Sequence, residues 1–478
     1  AAAAAVSCAP AGEADWAQLE SDFRRLPMTA RRLTGPLFWL HGDESRRRLE
    51  DYLEKVAAGG NGCFTAESRP HADWLGPGWY RDLEICLRKA KELDLHMYIF
   101  DERWWPSGEV GGTVPQRYGS KYLAAAARDV KGPGAVTLAV PGEKLVAVIA
   151  GRRTGAGIDG GSLRDLTATV DGGTVRWRPP AGTWSVMTFT WRYSKGRRGH
   201  VLVDGASRDA VEWYIETVYQ PHYDHFKDEF GKTIRGFFYD EHETPGDWGT
   251  AVIPMLRERS VDWKKALVAW KFRLAGGEQA AARYQYRSAF AAAWGRTLYG
   301  GIADWCRDRG VISIGHWLEH KWEYLHPKKC AGNMFQVQRH THMGGIDLVC
   351  RQYYPGSKDF RYNQMATLGS SISHVYDAAD DLAMCEIFGA YGQDVTYPQM
   401  KWLTDQMQVR GINFMIPHAF NPRAPFDRDC PPYFYNDGYE PRWPLYRVYA
   451  DYTSRLSVLL HGGRHVCPVA LLFAGMSY

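Results

Sequence analysis

Short apolar runs alternate along this chain with longer stretches in which apolar residues recur every three or four positions. The runs read as strands, and the longer stretches as amphipathic helices that carry the chain back across a parallel sheet. Eight strands are predicted: PLFWLHGD (36–43), GCFTAES (62–68), HMYIFDER (96–103), IRGFFYDEHE (234–243), VISIGHWLEH (311–320), IDLVCRQYY (346–354), LAMCEIF (382–388) and INFMIPHAF (412–420). Between them Phe290, Trp294, Leu298, Ile302 and Trp305 step along one helical face before Gly310. The same spacing recurs in Leu83, Leu87 and Ala90 and in Met400, Leu403 and Met407, and a last helix is predicted over 445–460. The pattern predicts an α/β chain, specifically a (β/α)8 TIM barrel. A doubly wound open sheet is the alternative, but no GxGxxG opens a helix and no GxxxxGK precedes Ser or Thr.

One region breaks the alternation. Residues 130–203 read as short β-runs (AVTLAV, KLVAVIAG, LTATV, TVRW, WSVMTFTW) joined by turns such as VDGGTV, a small β-domain inserted between strands three and four. The expected organisation is an N-terminal segment (1–34), a catalytic barrel (35–129 and 204–462), the insert (130–203) and the start of a further β segment (463–478), with VALLF at 469–473 as a strand. The opening AAAAAVSCAP lacks a charged n-region and a full apolar h-region and is at best the remnant of a processed leader; the expected location is secreted or periplasmic, with the cytoplasm as the alternative.

Composition narrows the function classes. A chain of 478 residues exceeds a single domain of roughly 100–200 residues, which suits a barrel with an insert. A net charge of +4 is too diffuse at this length to indicate a nucleic-acid partner, and no apolar run nears the roughly 20 residues of a membrane helix. No oligomeric state is specified. The 19 Trp and 27 Tyr point to a carbohydrate, because flat aromatic faces give pyranose rings apolar contact while the indole N–H and phenol still hydrogen-bond. Trp74, Trp79, Trp104, Trp105, Trp248, Trp317 and Trp322 lie in polar, loop-like segments, where core packing explains them less well. The nine cysteines form no CxxC pair; Cys63, Cys86, Cys350 and Cys385 read as buried thiols, while Cys8, Cys330, Cys430 and Cys467 sit in less regular surroundings.

Functional groups of a (β/α)8 barrel lie at the carboxyl ends of its strands. Each predicted strand ends in reactive side chains: His41 and Asp43; Glu67; Asp101, Glu102 and Arg103; Asp240, Glu241 and Glu243; His316 and Glu319; Arg351, Tyr353 and Tyr354; Glu386; His418. Glu386 stands alone among apolar neighbours, where a carboxylate is costly to bury without a purpose, or else is a buried acid paired with an arginine such as Arg351. Two carboxyls in different environments are what glycosidic cleavage needs, one protonated to donate to the leaving oxygen and one ionised to activate water or attack the sugar. HWLEH (316–320) also matches the HxxEH pattern of inverted zinc peptidases, but it follows a strand directly, whereas zinc binding needs both histidines on one helical face.

The chain resembles the α-L-rhamnosidases of glycoside hydrolase family 106. WWPSGEVGG (104–112) is similar to that family's glycine-rich, WP-containing segment, and YDEHE (239–243) to its DxxE strand end. CEIFGAYG with MKWLTD and RGINFMIPHAF (385–420) is similar to its late series of E, K, D and GxNxxxH. The resemblance implies Glu243 as general acid, with Glu241 as the rival inside the same motif, and Glu386 as base of an inverting reaction. It also implies a calcium ion at the sugar site, although the residues by themselves require no cofactor. His41, Asp101, Trp105, Asp240, His316, Glu319, Arg351, Tyr353 and His418 are the candidate sugar-binding residues. A retaining hydrolase with Glu386 as nucleophile and a non-catalytic carbohydrate-binding barrel are the alternatives.

Overall fold

The computed structural model describes residues 16–196, 198–317, 331–356, 360–376, 381–463 and 465–472. Among these, eight parallel strands follow the predicted runs, each stopping near the last apolar residue: β1 (Leu37–Leu40), β2 (Cys63–Ser68), β3 (His96–Phe100), β4 (Ile234–Asp240), β5 (Ile312–His316), β6 (Gly344–Leu348), β7 (Ala383–Ile387) and β8 (Phe414–Pro417). They pair in the orders β1-β2-β3-β4-β5 and β6-β7-β8. The two sheets meet along one seam through backbone hydrogen bonds, Gly35 to Met415, Met415 to Leu33, Trp39 to Phe420 and Phe420 to Leu37. At the other seam β5 and β6 approach so closely that a Cβ added to Gly345 would lie 1.9 Å from the Gly315 carbonyl oxygen. Only glycine fits there. The fold is mixed α/β.

Strand period two divides the side chains between two apolar clusters. Leu37, Trp39, Tyr98, Phe100, Phe238, Ile314, Met384, Phe414 and Ile416 pack together on the face enclosed by the strands. Phe38, Leu40, Ile99, Phe237, Tyr239, Ile346, Cys385 and Met415 take the intervening positions and pack against the helices. Each such fully buried side chain contributes roughly 1.5–3 kcal/mol, which fixes the register of every strand and so the direction of the polar residues that follow.

The helices form where predicted and carry the caps their sequences allow. Ser45 accepts the Arg48 N–H at the start of the helix Arg46–Ala58, and Thr396 with Gln399 forms a capping box on Tyr397–Gln408. The run through Phe290 and Trp305 is helical over Gln279–Arg307, with a wider turn at Gly295–Tyr299.

Antiparallel strands occupy the middle of the segment between β3 and β4, starting at Lys121, earlier than position 130, and ending at Tyr193. Lys121–Gly132, Gly182–Tyr193 and Leu145–Thr154 form one sheet, and Val136–Ala139, Thr174–Trp177 and Val170–Asp171 another. Between them Leu138, Val148, Val175, Trp184 and Val186 make a small core of their own.

Some expectations are corrected. Residues 469–472 form no strand, and Leu471 and Leu472 are almost fully exposed. Trp79, Trp248 and Trp317 are buried in the core, Trp79 on a helix and the other two outside regular elements. Cys350 is exposed, because it falls just past the end of β6, where the alternation no longer applies. The described cysteines are free thiols, and no helix among the described residues is long and apolar enough to cross a membrane.

Candidate active site

Alternation decides which strand-end groups converge. Phe238 on β4, Ile314 on β5 and Met384 on β7 face the enclosed side, so Asp240, His316 and Glu386, two residues later on each strand, face it too. Register then brings them level, with Asp240 opposite His316 and Asp347 of β6 opposite Glu386. His316 Nε2 donates to Glu386 Oε2 at 2.9 Å and lies 3.5 Å from Asp240 Oδ1. Burial raises the carboxyls of both acids. For Glu386 the neighbouring Asp347 adds to the rise, and His316 and Arg69 oppose it. Asp240 is pushed well up, with His316 opposing and the other acids reinforcing.

Asp347 is absent from the sequence-based candidates, although it carries the same signal as Glu386, a lone acid inside an apolar strand.

β1, β2 and β8 supply the adjoining part of this surface. Arg69 donates to Glu67 Oε1 at 2.7 Å and to Asp429 Oδ2 at 2.9 Å, with its guanidinium 4.5 Å from the centre of the Trp39 indole. Burial pushes Glu67 up to about 7 against the pull of Arg69, and the charge of Glu386 adds to the rise. His418 stands edge-on to Trp39 at 5.1 Å, and burial with the Arg69 charge holds it well below the usual imidazole range. His41 is fixed through Nδ1 to Glu44 at 2.6 Å, which leaves Nε2 3.8 Å from Asp427 Oδ2. Glu67 Oε2, Trp39 Nε1, His41 Nε2 and His418 Nδ1 are buried and make no hydrogen bond among the described residues. Buried polar atoms are nearly always paired, so four such atoms on neighbouring strands suit a polar ligand. Glu67 was legible as a strand end; Arg69 and Trp39 became visible only through contacts with Asp429 and His418, far along the chain.

The loop after β3 lies beside β4. Trp105 Nε1 donates to Glu241 Oε2 at 2.7 Å, orienting that carboxylate on a residue of positive φ. Ser107 and Asp240 exchange two hydrogen bonds, Ser107 N–H to the Asp240 carbonyl at 2.7 Å and Asp240 N–H to Ser107 Oγ at 2.8 Å. Glu102 accepts the N–H groups of Arg103, Val110 and Gly111 and so closes the loop on itself, while burial pushes its carboxyl up to about 8. Glu243 is buried after β4, where a Cβ added to Gly196 would lie 3.1 Å from its Oε2. Arg198, from the same segment following the insert, donates to the Trp105 carbonyl and stands 5.0 Å from the Trp104 ring.

Three candidates stand elsewhere. Asp101 belongs to the helix-facing set with Met97 and Ile99. Its carboxylate accepts from Ser107 at 2.6 Å and from Tyr214 and Tyr219, so it holds the loop rather than facing a ligand. Arg351 pairs with Asp394 and with the Tyr391 carbonyl, not with Glu386. Tyr353 packs on Trp402, with its hydroxyl 3.3 Å from Gln406. Glu319 and the rest of HWLEH beyond Trp317 lie outside the described residues.

Asp240, His316 and Glu386 place ligand atoms within 4.8 Å of one another. Calcium takes six to eight oxygen ligands. Here the central group is an imidazole nitrogen that already holds a Glu386 oxygen, and this donor set does not suit calcium.

Buried carboxyls with raised affinity for protons, set at the ends of parallel strands beside a second polar surface, suit acid–base chemistry on a polar ligand. The sequence profile of glycoside hydrolase family 106, described as α-L-rhamnosidase, matches residues 147–476, and the chain belongs to this family. The rhamnosidase from Novosphingobium sp. PP1Y has a similar fold, with a TM-score of 0.73 at 17% identity over 93% of this chain and 61% of that one. The β-galactosidase from the Antarctic haloarchaeon Halorubrum lacusprofundi matches more loosely, with a TM-score of 0.47 at 10% identity over 91% of this chain and 59% of that one. The chain thus spans about three fifths of the length of the Novosphingobium protein. No curated protein matches it.

Proposed function

We propose that the eight strands close into a (β/α)8 barrel and that the chain hydrolyses terminal α-L-rhamnosides, or glycosides of a closely related sugar, at their carboxyl ends. The seam hydrogen bonds between β8 and β1, with the close approach of β5 and β6, support closure. Glu386 is the base that activates water and Glu243 the acid that protonates the leaving oxygen, so the sugar configuration inverts. The observation that carries this reading is the buried Glu386, held by His316 beside Asp240 and Asp347, where burial and the Asp347 charge raise its proton affinity above that of an ordinary carboxylate, as suits a base. Asp240 and His316 orient that base, and Trp39, His41, Glu67 and His418 meet the sugar hydroxyls. Trp105 orients Glu241, and Glu243, from the same segment and buried beside Gly196, meets the leaving group. No step of this reading runs through calcium.

Turnover of 4-nitrophenyl glycosides tests it: α-L-rhamnopyranoside is expected to be cleaved well ahead of the α-L-fucoside, β-D-galactoside and β-D-glucoside. Proton NMR of the first-formed sugar reads the stereochemistry, and a product of retained configuration would make Glu386 a nucleophile instead. Absence of turnover on every glycoside, with sugar binding intact, would leave a carbohydrate-binding barrel.

A further inference from the structure

The net charge of the chain is localised. Residues 121–193 contain ten Lys and Arg against five Asp and Glu, a net of +5, while the whole chain carries +4, so everything outside this segment comes to about −1. An average over the chain conceals a basic insert on a nearly neutral body.

Most of the insert's cations also lack an ion-pair partner among the described residues. Lys121 is buried against Asp204, and Arg153 lies 3.6 Å from Asp129. Arg128, Lys131, Arg152, Arg164, Arg176 and Arg178 are exposed and belong to no ion pair among the described residues. On the body, some exposed helical cations are matched, as in Arg46 and Arg88 on Glu50, Lys401 on Asp405 and Arg447 on Asp451, while others such as Arg47 and Arg208 belong to no ion pair among the described residues, so the insert differs chiefly in its net charge. Like charges left unneutralised on one small domain repel each other and invite an anionic partner.

Strand pairing places part of this charge on one face. Arg152 is opposite Trp184, Arg128 opposite Val186 two residues on, and Arg164 opposite Ala150 on the far strand. Alternation puts all three on the same side of the sheet, the side whose middle is the insert's core of Ala150, Trp184 and Val186, so they stand exposed at its rim, with the Arg152 and Arg164 guanidiniums each 5.7 Å from the Trp184 ring centroid. Guanidinium is planar and binds carboxylates through paired N–H groups, and it is the cation of choice for recognising them. The other end of this sheet is joined to the candidate active site, because the segment leaving the last insert strand packs Gly196 on Glu243 and Arg198 on Trp104 and Trp105.

We propose that the insert is an electrostatic holding surface for a carboxylated polysaccharide, bound by Arg128, Arg152 and Arg164, which delivers the sugar ends of an acidic glycan to the neighbouring site. The choice of a glycan rests on the glycosidase reading above. The near-neutral body disfavours nucleic acid, whose duplex would spread its charge over a wider surface than this insert offers.

Affinity electrophoresis through gels holding carboxymethylcellulose, hydroxyethylcellulose or single-stranded DNA tests the idea, since the two celluloses share a backbone and differ in charge. Retardation by carboxymethylcellulose alone is expected, weakening about tenfold or more from low salt to 0.5 M salt as screening sets in. The triple variant Arg128→Glu, Arg152→Glu, Arg164→Glu should lose that retardation. Arg128→Gln, Arg152→Gln, Arg164→Gln, which removes charge without adding repulsion, should weaken it at least severalfold. Both variants should cleave 4-nitrophenyl α-L-rhamnopyranoside within about twofold of the parent, which confirms folding; if the parent lacks that activity, circular dichroism serves, so the binding result stands apart from the rhamnosidase reading. Equal retardation of parent and both variants, retardation by the neutral cellulose, or tighter retention by DNA than by carboxymethylcellulose would each overturn the proposal.

Discussion

The two halves of the strand-end surface are built on opposite principles. On β4 to β7, carboxyls crowd together around one histidine, and burial with mutual repulsion raises their proton affinity. On β8, β1 and β2 an arginine stacked on Trp39 dominates, and it pulls against burial at Glu67 while it adds to burial in lowering the proton affinity of His418. The first half is arranged to move protons. The second is arranged to present polar atoms in fixed states, with His41 locked by Glu44 and the indole of Trp39 held in place from several sides. The contrast shows that burial alone does not make an acid or a base; the sign of the nearest charge decides what a buried group can do.

Substitutions that remove a proton-moving group should therefore cost the most. Glu386→Gln keeps the volume and the contact to His316 but removes ionisation, and turnover of an aryl rhamnoside is expected to fall more than about a hundredfold with the fold intact by circular dichroism. A rate near that of the parent would remove Glu386 from the chemistry and erase the contrast.

Glu243→Gln should show a graded effect. A leaving oxygen that is already a stable anion needs little protonation, so hydrolysis of natural glycosides should fall by about a hundredfold while much of the rate on a 2,4-dinitrophenyl glycoside survives. Glu241→Gln is the control from the same segment. If it shows the leaving-group dependence and Glu243→Gln does not, the acid is Glu241.

Arg69→Met couples the two halves. The Arg69 charge lowers the proton affinity of both Glu67 and Glu386, so removing it should raise both. A base must be ionised to work, and the acidic limb of kcat/KM, already above the ordinary carboxyl value of 4.5 because Glu386 is raised, should move to higher pH in the variant. Breaking this buried pair should also cost about 3–5 kcal/mol of stability by denaturant titration. A limb that stays in place would mean that the second half does not tune the first. The smallest effect is expected for Trp105→Phe, which removes one neutral donor to Glu241; a loss of about two- to fivefold in kcat/KM corresponds to one ordinary hydrogen bond. A loss as large as that of Glu243→Gln would place Glu241 at the centre of the reaction.

Much of this protein is legible in the order of its residues. Local periodicity locates the eight parallel strands and their helices, because alternation and the 3.6-residue period are properties of neighbours in the chain. The same rule assigns Glu386 and His316 to the functional side, and it places Asp101 with Met97 and Ile99 on the helical side, away from the ligand candidates. Lone acids in apolar strands announce themselves, as Glu386 does and as Asp347 equally could. What order alone cannot supply is the partner of each group. Whether Arg351 or Arg69 serves the buried acids depended on loops meeting across the molecule, with Arg351 captured by Asp394 and Arg69 by Glu67 and Asp429. The meaning of a +4 net charge likewise depended on where the insert begins and which cations find carboxylates. Secondary structure follows from interactions a few residues apart, whereas proton affinity, hydrogen-bond orphans and charge pairing are set by groups that only folding brings within a few ångströms.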